Sequence, residues 1–149
     1  MRSHRPHPAE RPPLEFSTWI GRHQLISVAM TATITLVVGW SAAVGHSGAT
    51  LLAYVAPLLV AVALATRPAL GESVRSCAMV VGLFTGAALV AELAQGSVIA
   101  PIGYFLALCL ASLYERYAPL VVGVLMLFVH EALFGTVIPD GTPIHGLPH

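Results

Sequence analysis

Five apolar stretches follow one another along the chain, separated by short polar breaks. They cover residues 25–44, 49–66, 74–94, 97–114 and 117–135. A helix rises 1.5 Å per residue, so about 20 apolar residues cross the ~30 Å of bilayer hydrocarbon, and each stretch is near that length. The last two are the most tightly coupled: only Glu115-Arg116 separates Ser97–Tyr114 from Tyr117–Gly135, which predicts a membrane hairpin with almost nothing outside the bilayer. Arg67 to Arg75 (RPALGESVR) reads as the turn between spans two and three, and Gln95-Gly96 as the break between spans three and four.

Polar and special residues inside these runs are compatible with spans. Thr31, Thr33 and Thr35 can return their hydroxyls to backbone carbonyls. Pro57 is expected to bend span two near its middle, whereas Pro101 falls in the first turn of span four, where a missing donor costs little. Ala78, Gly82 and Gly86 lie four apart on one helical face, so another backbone can approach closely there. Internal packing is the first expected use of that stripe, and homo-oligomerisation the second.

The flanks differ in kind. Met1 to Glu15 is rich in proline, arginine and histidine without apolar periodicity, and Phe16 to Gln24 carries Trp19 and Arg22, suited to the headgroup level. The expected division is a flexible tail and interfacial segment at 1–24, a membrane domain at 25–135 and a proline- and glycine-rich outer tail at 136–149. His4 and His7 read as tail residues. A signal peptide competes for the first run, since Arg22 precedes it and Ser41-Ala42-Ala43 supplies small residues. The next apolar run begins almost at once, which favours a span.

Composition turns the pattern into a class. Of 149 residues, 56% are hydrophobic and 9% charged, against about 25% charged in ordinary soluble domains. The expected fold is all-α, an integral membrane bundle of five transmembrane helices. All seven basic residues are arginines, at 2, 5, 11, 22, 67, 75 and 116. With the amino terminus cytoplasmic and the carboxyl terminus outside, every one lies inside. They alternate with apolar runs rather than forming a basic face, which argues against a nucleic-acid partner. Cys77 and Cys109 lack metal-motif spacing and read as small packing residues.

On this topology His46, Glu92, His130 and Glu131 lie at or near the outer face. Ionisable groups at membrane depth are candidate functional sites. They could ligate zinc or copper, or act as a protonation switch, or simply pair and reach headgroup water. His130 and Glu131 are adjacent and so point about 100° apart, which weakens the metal reading. No second histidine completes a peptidase motif, and no serine–histidine pairing or phosphate loop suggests an enzyme. At the cytoplasmic tip, Tyr114 and Tyr117 are expected to anchor in the interface, or to present a contact surface to a partner.

Two segments of the hairpin resemble a known membrane domain. Leu113-Tyr114-Glu115-Arg116-Tyr117-Ala118-Pro119 is similar to an LYQDWRP-like turn, and Val129-His130-Glu131 through Gly135 to a histidine-pair segment ending in glycine. Both features belong to the multi-spanning amino-terminal membrane domain of bacterial signalling proteins, which precedes methyl-accepting chemotaxis or diguanylate-cyclase modules. The departures are specific. An HFHFF-like run is replaced by Pro101-Ile102-Gly103-Tyr104-Phe105, Ala100 stands where that family has glutamate, and Glu131 stands for the second histidine of the pair. The resemblance also implies a sixth span and an output domain, neither of which the sequence contains. The leading expectation is therefore a membrane sensory or regulatory module acting through a partner protein. A small transporter, with Pro57 breaking a helix at midplane, is the alternative, and a structural subunit of a larger complex is the third.

Overall fold

The computed structural model describes residues 14–94 and 99–137, and every regular element among them is an α-helix. The helices are α1 (Leu14–Ala43), α2 (Gly48–Thr66), α3 (Glu72–Leu93), α4 (Ile99–Ser112) and α5 (Tyr117–Val137). His4, His7, Gln95-Gly96 and the segment after Val137 lie outside the described residues.

Each apolar stretch forms one helix, with two differences of extent. α1 starts well before residue 25, because Trp19 and His23 continue the same buried helical face as Ile26, Met30 and Val37. Its first turns are thus part of the bundle. At 14 residues α4 is the shortest helix, about 21 Å long at 1.5 Å per residue. Three helices are long and apolar enough to cross a membrane, Trp19–Ala43, Gly48–Thr66 and Glu72–Leu93, while Ile102–Ser112 and Tyr117–His130 are shorter apolar stretches. The protein is a multi-pass membrane protein.

Its centre is α3, not the carboxyl-terminal hairpin. α3 packs against each of the other four helices, with α1 and α2 paired beside it and α4 paired with α5. In its membrane-length window 56% of the residues are buried, against 22% for α1 and 17% for α2. Glycine makes that position possible. A Cβ at Gly82 would stand 2.7 Å from Met30 Cε and 2.8 Å from Ala61 Cβ, and one at Gly86 would collide with Thr33 Cγ2. Gly82 and Gly86 therefore face α1 and α2 of the same chain, and Ala78 packs against the same core. The stripe serves internal packing. Nothing among the described residues supports the second expected use, homo-oligomerisation, since the close approach at Gly82 and Gly86 is taken within the chain.

Local chemistry explains the connections. Gly45, at φ +80°, ends α1 with the paired bonds of a Schellman cap: His46 N–H to the Ser41 carbonyl at 3.1 Å and Gly45 N–H to the Ala42 carbonyl at 3.1 Å. Two residues later, the Ser47 hydroxyl caps α2 by accepting Thr50 N–H at 3.2 Å. α2 runs unbroken through Pro57. The hydroxyls of Thr31, Thr33 and Thr35 donate to the carbonyls four residues back at 2.9–3.0 Å, as their place in an apolar helix requires. Cys77 is half-buried, Cys109 is exposed, and both are free thiols.

Candidate functional site

The start of α1, the end of α2, the start of α3 and the α4–α5 turn meet at one end of the bundle, which carries Arg22, Arg75 and Arg116. Trp19 and His23 are four residues apart, so they share a face of α1; their rings stack with centroids 4.7 Å apart and planes 13° from parallel. The first turns of α3 supply the neighbours Arg75 and Ser76. Trp19 Nε1–H donates to Ser76 Oγ at 3.2 Å, and the Arg75 guanidinium lies 4.8 Å from the Trp19 ring centroid. Arg75 Nε also donates to the Ala65 carbonyl at 2.7 Å, which ties α3 to the last turn of α2.

The α4–α5 turn closes this cluster through Tyr114, whose hydroxyl lies 2.7 Å from His23 Nδ1. Trp19, His23, Ser76 and Tyr114 are all buried, His23 with 7% of its surface exposed. Around the rim, Arg22 pairs with Glu115 at 2.7 Å and Arg116 with Glu72. These two bridges and the inner bonds form a clasp that holds the end together.

Burial pushes the Tyr114 phenol well above its ordinary ionisation range, so it remains an O–H donor. The Tyr114 hydroxyl and His23 Nδ1 share one hydrogen bond whose direction follows the imidazole tautomer, and the other ring nitrogen is Nε2. That Nε2 atom is buried and makes no hydrogen bond. The Ala65 carbonyl, which accepts from Arg75 Nε, also faces the imidazole.

The residues singled out in the sequence lie elsewhere. His46 Nδ1 is 3.1 Å from Ser41 Oγ, and its ring meets Tyr54 edge-on at 5.8 Å. Tyr54 in turn donates to Glu92 Oε1 at 3.3 Å. His46 and Glu92 thus share one tyrosine at the end opposite the clasp. His130 rests against Tyr104 at 4.9 Å, and Tyr104 against Phe84 at 6.2 Å, so α5, α4 and α3 are joined by an aromatic row. The side chain of Glu131 lies outside the described residues. Among the described residues no three His, Cys, Asp or Glu side chains are grouped to hold a metal ion.

The expectations for the tip and the first helix change as well. Tyr114 is only 3% exposed and Tyr117 is 89% exposed, so the two tyrosines do different work: one bonds inside the bundle and the other stands free of it. Trp19, expected at the headgroup level, is buried under Arg75. His23 carried no signal of its own, lying between Arg22 and Gln24 in a polar stretch. Its four-residue spacing from Trp19, in phase with Ile26 and Met30, is the pattern that marks it.

A separate apolar groove of about 460 Å³ lies between α1 and α4, with Leu83, Ala87 and Val90 of α3 in its lining. The hydroxyl that borders it, on Thr33, is already bonded to the Ala29 carbonyl at 3.0 Å. The groove therefore offers shape without directional chemistry.

The chain matches no known family model, and no curated protein or solved structure aligns with it significantly. Of the resemblance to signalling-protein membrane domains, the all-α bundle with several membrane-length helices stands. Nothing in these comparisons ties the chain to signalling.

Proposed function

We propose that the protein is a membrane sensory or regulatory module acting through a partner protein, and that the clasp at the arginine end is its working part. One observation carries this reading: in a bundle that is otherwise mostly apolar, a buried polar cluster joins α1, α2, α3 and the α4–α5 turn. Buried polar groups cost free energy unless their bonds are complete, so such a cluster favours a defined arrangement and responds as a unit when one member changes. The positive-inside tendency places this end in the cytoplasm, the amino terminus with it, and the far end of α5 outside. Tyr117, exposed beside the clasp, is then the natural contact for a cytoplasmic or membrane partner.

The test is Tyr117→p-benzoylphenylalanine in native membranes, with illumination and identification of what is captured. A specific partner, captured less when the clasp is weakened by His23→Gln, is the expected result. No capture at position 117, together with unchanged cell responses after deletion of the chain, would overturn the reading. Solute flux into vesicles holding the purified protein separates it from a transporter. The transporter alternative rested on a broken helix at Pro57, and α2 is continuous there.

A further inference from the structure

We infer that the clasp is a proton switch, closed while His23 is neutral and opened when His23 takes up a proton. This inference rests on the regulatory reading above and names its stimulus. In the closed clasp neutral His23 carries its hydrogen on Nε2, so that Nδ1 accepts from the Tyr114 hydroxyl 2.7 Å away. An imidazolium donates from both nitrogens and accepts at neither, so protonation removes the acceptor that Tyr114 uses.

The hydrogen on Tyr114 must then turn elsewhere. The hydroxyl facing it is Ser76, which receives Trp19 N–H at 3.2 Å and has a second acceptor position for the Tyr114 hydrogen. One proton on His23 therefore reverses the bond to Tyr114 and turns the tyrosine hydrogen toward Ser76, which changes the contacts among α1, α3 and the α4–α5 turn.

Charge acts in the same direction. Facing the imidazole are Trp19 on its own helix, Arg75 and Ser76 from α3, the Ala65 carbonyl from α2 and Tyr114 from the turn, with Cys77 beside Tyr114. The only full charge in that set is the Arg75 cation. The carboxylates of this end, Glu72 and Glu115, lie at the rim, paired with Arg116 and Arg22. A protonated His23 would be a second buried cation beside Arg75 with no carboxylate in contact. Opening the clasp lets water reach it and frees the turn that bears Tyr117.

Trp19 is a built-in reporter, since it stacks on the imidazole, and the chain has two tryptophans. Trp40→Phe leaves Trp19 as the sole tryptophan. Its fluorescence is followed in the purified full-length protein between about pH 5 and pH 8, the range in which histidine ordinarily titrates. The expected result is one reversible transition, lost in His23→Gln and moved to higher pH in Tyr114→Phe, where the neutral imidazole loses its donor. Absence of a transition in the Trp40→Phe protein overturns the switch, as does its persistence in His23→Gln. Should His23→Gln fail to fold, an unmoved midpoint in Tyr114→Phe overturns it instead. Because no partner enters this measurement, a failed switch is distinguishable from a failed partner capture at Tyr117.

Discussion

The two ends of the bundle use similar chemistry to different effect. Each has a histidine, a tyrosine, a hydroxyl and a carboxylate within one neighbourhood. At the arginine end, His23, Tyr114, Ser76 and Trp19 are buried, and their bonds cross between distant parts of the chain. At the opposite end, His46 and Glu92 are exposed, and most bonds are local: Ser41 to His46, and Ser47 to Thr50. Ser41 is itself buried, but water reaches at least one partner of each bond in the second set and few in the first. Depth, more than residue type, decides which group of polar residues can act as a unit.

The sharpest way to break this comparison is to remove the centre of the clasp. Trp19→Ala deletes a buried ring that stacks on His23, bonds Ser76 and lies under Arg75. Large aromatic-to-alanine changes in cores cost about 3–5 kcal/mol, and a loss of that size is expected in detergent unfolding. Tyr54→Ala at the other end should cost far less, because its hydroxyl partner Glu92 is exposed. Equal losses would remove the distinction between the ends.

Hydroxyl deletion gives a smaller and more specific contrast. Tyr114→Phe keeps the ring and leaves His23 Nδ1 buried without its donor, a loss of about 1–3 kcal/mol. Tyr54→Phe should fall within about 0.5 kcal/mol, the usual range for surface changes. The same pair yields a pH test. Burial raises the ionisation of Tyr114 in the folded protein, so its contribution is complete below the range in which an unfolded tyrosine ionises, about pH 10, and declines as pH rises above it. Unfolding measured from pH 8 to pH 11 should show that alkaline loss in the native sequence and a weaker one in Tyr114→Phe.

How much of this was legible in the sequence differs between the same two ends. The helices were readable because apolar runs and short breaks suffice to mark membrane segments, and the threonine hydroxyls of α1 bond to the carbonyls that their setting required. The order of packing was not. α3 carries glutamate, arginine and serine in its first turns and looks less apolar than α2, yet it is the central helix. Hydropathy measures transfer out of water, whereas the position of α3 comes from shape: Gly82 and Gly86 admit Met30, Ala61 and Thr33 where side chains would exclude them. His46, Glu92 and His130 drew notice as ionisable groups in or beside apolar runs. His23 escaped it because hydropathy averages a whole segment, and only its phase with Trp19 and Ile26 reveals that it faces inward.

The turns at the two ends supply a further contrast, in the backbone. Gly45 ends α1 at φ +80°, and Glu115 adopts φ +52° in the α4–α5 turn. A side chain in that left-handed region costs roughly 1–2 kcal/mol, so Gly45→Ala should destabilise by about that amount even though nothing lies within 4 Å of its Cβ position. At Glu115 the cost is already present. Glu115→Gly would relieve it and lose the bridge to Arg22, whose glutamate side chain is 70% exposed. Exposed pairs contribute about 0–1 kcal/mol, so the two changes nearly cancel, and stability should move by less than it does for Gly45→Ala.

The smallest effect is expected from His46→Gln, at the end where water can substitute. Its Nδ1 contact with the buried Ser41 hydroxyl is one that the glutamine amide can replace, and Tyr54 keeps its bond to Glu92 without it. Two exposed groups already engaged with Ser41 and Tyr54 form a poor start for a metal site. Zinc or copper retained by the purified protein should therefore stay far below one ion per chain and be unchanged by His46→Gln or Glu92→Ala. Near-stoichiometric metal lost in either variant would reverse the ranking of the two ends. It would mean that the exposed end gathers around an ion, with His130 and Glu131 the next ligands to test, and that its open geometry is the unliganded half of a switch.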